Sequence, residues 1–306
     1  MSTLAGTRVT RDGWTWTAWA VGALLLLPLL GDLADGVVYG ATVALSALVL
    51  ALLTRRPRPR DREPHRLDLT VLALTYVAVV ALMRLAFVGF GTDDVLGLFL
   101  CFAGALVVGS GVPLLYTSYA TRRPLTWLGL RLDNWRPTLA LALLLAGVQF
   151  SLTLADTDLP AAEDWVPLLV MALVVGVFES IFFRGFAQGV LEAAFGRDVG
   201  VAGAAVLYGA YHVGYGMGGR ELVFLTGLGL VYAVAYALVR NLLVLWPLLT
   251  PLGSFYANLE NGDIELPWAS ILGFVDVLVV VVGLGWVAWR HHARALGHFR
   301  GGLPAA

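Results

Sequence analysis

Three ionisable side chains stand in otherwise apolar stretches: Glu179 and Arg184 in VVGVFESIFFRGFAQG, and His212 in AAVLYGAYHVGYGMGG. Ionisable groups deep in a bilayer are costly and face a protein interior, so each is a candidate for a site. A carboxylate and an imidazole brought together can polarise a water molecule and stabilise a tetrahedral oxyanion, the two services that peptide hydrolysis requires. The plainer alternatives are a buried Glu179–Arg184 pair that fixes helix packing, and a His212 that serves as a satisfied packing residue. Arg184 follows Glu179 by about a turn and a half of α-helix, so the two side chains would approach only obliquely. Arg84 and Asp276 are also buried in apolar sequence, on distant segments. They can neutralise each other inside a bundle or line a proton or ion pathway.

Other chemistries find no footing. The sequence holds no HExxH pair, no paired-cysteine motif, and no GxSxG or phosphate-cradling glycine loop in a suitable context. Glu179 and His212 alone leave a divalent metal short of the three protein ligands and water of an ordinary catalytic zinc site. The one cysteine, Cys101, rules out an intrachain disulfide. No basic patch suited to nucleic acid stands out.

Helices in lipid must position these residues. With 59% hydrophobic and 13% charged residues and a mean hydropathy of +0.80, the chain carries more apolar surface than a water-soluble domain of 306 residues can bury. The apolar residues fall in blocks of the length that crosses a bilayer as helix, and the short alternating segments of a membrane barrel are missing. The expected architecture is all-α, a polytopic transmembrane bundle of about ten spans. They fall near residues 14–31, 36–53, 68–90, 95–119, 137–154, 165–189, 199–215, 221–239, 242–257 and 268–289. The first follows Arg8 and Arg11 but lacks a small-residue cleavage site, so it reads as a retained span.

Orientation follows from the arginines, because cytoplasmic connections retain basic residues during insertion. Every arginine except Arg84, Arg184 and Arg220 falls at the N-terminus, at the C-terminus or in alternate connections, including the tract from Arg55 to Arg66. The opposite connections carry Asp32, Asp35, Asp93, Asp94, Asp156, Asp158, Glu163, Asp164, Glu260, Asp263 and Glu265. Both chain ends are therefore expected on the cytoplasmic side. Three regions are expected: 1–120, N-terminal helices with a basic cytoplasmic loop; 121–260, the core; and 261–306, a last helix and basic tail. The segment PLTWLGLRLDNW, Pro124 to Trp135, has the composition of an interfacial helix or an aromatic-anchored loop.

At its polar residues the sequence resembles the CPBP family, the CAAX-protease and bacteriocin-processing membrane proteins also called Abi. Their core carries EExxxR, then FxxxH, then HxxxN. The first motif stands here as ESIFFRG, Glu179 to Gly185, with Ser180 in place of the second glutamate. The second stands as YGAYH, Tyr208 to His212, and LGLR, Leu128 to Arg131, looks like the segment ahead of the family core. The third should lie in RNLLVLWPLLTPLGSFYANLE, near Thr250 and Ser254 or near Leu252 and Tyr256; neither alignment supplies its histidine.

The resemblance implies an intramembrane endopeptidase in which Glu179 activates water. His212 would orient that water or stabilise the oxyanion, and Arg184 would position Glu179 or hold the cytoplasmic end of the helix. Tyr208, Thr250 and Ser254 would support substrate or oxyanion. A divalent metal such as zinc would come by family resemblance, on His212 and Glu179 if at all, and the missing glutamate and histidine put it in doubt. Implied partners are the lipid bilayer of a prokaryotic plasma membrane and a membrane-associated substrate, prenylated or leader-type. A catalytically inactive relative acting as membrane scaffold competes with this reading. A transporter is the third class, without an inverted repeat to support it.

Overall fold

The computed structural model describes residues 64–91, 94–132, 135–153 and 165–247, with single positions at 44, 45, 48 and 162 and between 275 and 290. The expected spans at 14–31, 36–53 and 268–289, both chain ends, Thr250, Ser254 and Asp276 lie outside the described residues.

Among the described residues every regular element is helical. Helix α1, Asp68–Arg84, continues into a π-helical turn, Leu85–Phe90. Helix α2, Val95–Ala120, alternates α and π winding and starts at Asp94, whose carboxylate accepts from the Leu96 amide at 2.7 Å. A 3₁₀ turn, Leu125–Leu128, leads to α3, Trp135–Thr153. Helix α4 runs through Trp165–Glu179, widens to a π-helix over Ser180–Ala187 and narrows again at Gln188–Phe195. Helix α5, Arg197–Tyr211, ends in a 3₁₀ turn, His212–Tyr215. Helix α6, Gly219–Val239, and the short α7, Leu242–Leu245, complete the described chain.

Four of these helices are long and apolar enough to cross a membrane: Asp68–Phe90, Val95–Ala120, Ala172–Phe195 and Gly219–Val239. Three coincide with the spans expected at 68–90, 95–119 and 221–239, and the fourth overlaps the one expected at 165–189 but runs on to Phe195. The apolar stretch Trp135–Val148 of α3 is shorter. The outward faces are apolar, with Leu74, Val77 and Leu144 more than half exposed, as a lipid-facing surface requires.

Between helices the driving force in lipid is close packing and hydrogen bonding rather than exclusion of water. Small residues provide the first. A Cβ on Gly229 of α6 would meet the Tyr208 ring at 2.8 Å, and one on Gly209 of α5 would meet the Thr226 backbone at 2.7 Å, so α5 and α6 touch nearly backbone to backbone. A ladder of side chains provides the second. Arg184 donates to the Gly229 carbonyl at 3.3 Å, Gln188 to the Ala233 carbonyl at 3.1 Å and Arg197 to the Ala237 carbonyl at 3.3 Å. The accepting carbonyls advance four residues at a time, one turn of α6 each.

Within the Pro124–Trp135 segment, Leu125–Leu128 form a 3₁₀ turn docked on the core. Leu128 is fully buried, a Cβ on Gly185 would meet its carbonyl at 2.7 Å, and the Gly129 carbonyl accepts from the Leu242 amide at 2.9 Å. Leu132 and Trp135, beyond the turn, remain exposed.

Candidate active site

The hairpin of α4 and α5 sets the depth of the polar residues. Gly196, at φ 88°, takes a backbone conformation that L side chains rarely adopt and reverses the chain between the two helices. Glu179 lies sixteen residues before Phe195 and His212 fifteen after Arg197. At about 1.5 Å per residue both stand roughly 22–24 Å from that turn. Two residues far apart in sequence are therefore level with each other.

Tyr211 links them. Its hydroxyl donates to Oε1 of Glu179, and its ring lies against His212 with centres 4.1 Å apart. The carboxylate is 2% exposed and the imidazole 7%, so both are shielded from bulk solvent. The Tyr208 carbonyl lies 2.9 Å from His212 Nδ1. A carbonyl can only accept, so Nδ1 carries the proton and a neutral ring presents the lone pair of Nε2.

Arg184 takes a different position from the one its sequence spacing suggests. The π winding that starts at Ser180 has wider, i to i+5 turns, which bring residues four and five apart onto one face. The guanidinium is fully buried, 4.6 Å from the centre of the Tyr208 ring and 5.2 Å from that of Tyr232, with Nη1 on the Gly229 carbonyl. It stays near enough for its charge and that of Glu179 to act on each other, but its direct contacts are with aromatic faces and a carbonyl.

Tyr208, expected to support substrate or oxyanion, gives its ring face to Arg184 and its carbonyl to His212. Arg84, expected to be buried, is exposed at the end of α1 and donates to the Val213 carbonyl at 3.1 Å, bracing the turn that begins at His212. Tyr211 and Tyr215 join this cluster, and reading by charge passed over them. Their signal was the aromatic run around His212 in YGAYHVGY, where ring contacts continue to Tyr215 at 5.5 Å and on to Phe87 at 4.3 Å.

Among the described residues no three His, Cys, Asp or Glu side chains converge, so Glu179 and His212 by themselves fall short of the three protein ligands of an ordinary catalytic zinc site.

Residues 161–248 match the family model of type II CAAX prenyl endopeptidases, Rce1-like. Over that stretch, 88 of its 306 residues, the chain is similar to the CAAX-protease family. The matched stretch begins ahead of α4 and ends beyond α7, so it contains Glu179, Arg184, Tyr208, Tyr211 and His212 and stops short of Thr250 and Ser254. No curated protein and no solved structure matches the chain. Four apolar helices of spanning length, with a stretch similar to a membrane-protease family among them, make this an integral membrane protein.

Proposed function

We propose that the protein is an intramembrane endopeptidase of the CAAX type that hydrolyses membrane-associated peptides, prenylated or leader-type, with water activated by Glu179. One observation carries the reading: Glu179 and His212 come level on two helices and are joined through Tyr211 inside a water-poor core.

In this mechanism Glu179 takes a proton from water as the oxygen attacks the scissile carbonyl carbon. A C–O bond forms, the carbonyl π electrons move to oxygen, and the tetrahedral intermediate collapses with cleavage of C–N. The proton held by Glu179 passes to the leaving amine, so the carboxylate ends as it began. The neutral His212 ring, with its lone pair at Nε2, accepts a hydrogen bond from the second water O–H, which stays on oxygen, and orients the nucleophile. Arg184, caged by Tyr208 and Tyr232, supplies positive charge that favours the developing oxyanion without being cancelled by a direct ion pair.

About ten spans, cytoplasmic chain ends, the core at 121–260 and residence in a prokaryotic plasma membrane complete the proposal. The arginine distribution supports the span count and the orientation.

The burial of Glu179 and Arg184, with Ser180 where the family motif has a second glutamate, favours a second reading: an inactive relative that binds membrane partners as a scaffold. The deciding experiment is cleavage of prenylated and leader-type peptides by the wild-type protein and Glu179→Ala in nanodiscs. Cleavage by the wild type alone supports the endopeptidase. No cleavage by either, across the panel and with added divalent metals, supports the scaffold.

A further inference from the structure

A base in an apolar interior must be held without being neutralised. An arginine paired to Glu179 would satisfy the carboxylate and cancel its charge together, whereas a neutral donor satisfies an oxygen and leaves the charge in place. The side chain next to Glu179 in sequence, Ser180, is buried, and its hydroxyl has no hydrogen-bond partner among the described residues. Arg184 is turned to Tyr208, Tyr232 and the Gly229 carbonyl. A hydroxyl that does reach Glu179 comes from the neighbouring helix, from Tyr211.

The Tyr211 ring has little freedom to leave. It is 1% exposed and meets Phe183 at 4.7 Å, Tyr208 at 5.7 Å, Phe178 at 5.9 Å, Tyr215 at 5.5 Å and His212 at 4.1 Å between ring centres. Two of those rings belong to α4, the helix that carries Glu179. Helix α5 changes from α to 3₁₀ winding directly after Tyr211, so that His212, adjacent in sequence, also packs into this cluster. A phenol fixed in this way sets where one carboxylate oxygen sits relative to the imidazole.

We propose that Tyr211 is the positioning residue of the site: its hydroxyl holds the Glu179 carboxylate in one orientation and ties it to the helix end that carries His212. The assignment rests on the reading of Glu179 as the base. Tyr211 stays neutral and protonated throughout; it donates a hydrogen bond and transfers nothing.

The test uses full-length protein in nanodiscs as wild type, Tyr211→Phe, Tyr208→Phe and Glu179→Gln. The carboxylate stretch of Glu179 is the infrared band that Glu179→Gln removes. The expected result is that Tyr211→Phe shifts or broadens this band while Tyr208→Phe leaves it in place. On a peptide that the wild type cleaves, Tyr211→Phe lowers kcat by about 100-fold, the scale of a misplaced reacting group, with KM within about twofold. A band unmoved by Tyr211→Phe overturns the assignment whatever the activity, and so does a moved band with unchanged kcat. If the wild type cleaves nothing while the band still moves, the endopeptidase reading falls and the hold of Tyr211 on Glu179 stands.

Discussion

Buried carboxylates occur in two settings in this molecule. Asp68, at the start of α1, is met by Arg123, whose Nη1 lies 3.0 Å from both carboxylate oxygens. It also accepts from the Tyr116 hydroxyl at 3.0 Å and the His65 amide at 2.8 Å. Glu192, near the end of α4, is gripped by both terminal nitrogens of Arg240 at 2.6 and 2.9 Å and by Gln188 at 3.0 Å. Glu179, in the middle of α4, takes its hydrogen bond from a phenol, and the nearby arginine is occupied by aromatic faces. At helix ends an arginine pairs with the carboxylate and the cluster serves as a clamp; at mid-depth a neutral phenol holds one oxygen of the carboxylate proposed as the base. Breaking a clamp leaves a charge stranded. Altering the central carboxylate changes chemistry more than stability.

The largest expected effect falls on the central site. Glu179→Gln, nearly isosteric, should lower cleavage by about 10²–10⁴-fold, the range of general acid–base catalysis, with membrane insertion and melting temperature retained. Undiminished cleavage by this variant would remove Glu179 from the mechanism.

At the clamps the order should reverse. Arg123→Ala should cost about 3–5 kcal/mol of stability, the cost of orphaning one member of a buried pair, and leave the activity of folded molecules intact. Thermal unfolding in detergent, with cleavage measured per folded molecule, reads both quantities. A loss of activity without a loss of stability would break the distinction.

Arg240→Ala should cost less, about 2 kcal/mol, the scale of hydrogen bonds to a charged group, because Gln188 still serves Glu192. Denaturant titration against Arg123→Ala sets the order of the two clamps. Equal losses would mean that the Gln188 contact contributes nothing.

Gly229→Ala should have the smallest effect on stability, about 1 kcal/mol from overpacking, but it pushes on the Tyr208 ring beneath Arg184. It therefore sharpens the comparison: activity should fall several-fold at nearly unchanged melting temperature. A drop in melting temperature without a drop in kcat would place Gly229 with the scaffold.

The class of structure and the residue types of the site were legible without coordinates. Apolar blocks of spanning length can be satisfied only as helices in lipid, and the expected spans at 68–90, 95–119 and 221–239 coincide with helices of spanning length. Glu179, Arg184 and His212 stood out because ionisable groups in apolar sequence are costly enough to need a reason. Thr250, Ser254 and Asp276, also expected to matter, lie outside the described residues. Which partner each charged group takes is set by helix packing. Sequence spacing assumed α-helical turns, but the π winding after Glu179 turned Arg184 toward Tyr208 and Tyr232. Arg84 proved to be a surface brace for the His212 turn. The contacts of Tyr211 with Glu179, and of Arg123 with Asp68, join residues more than thirty positions apart. Such pairings arise from the packing of whole helices, through small residues and ring contacts that no local pattern of charge or hydropathy encodes.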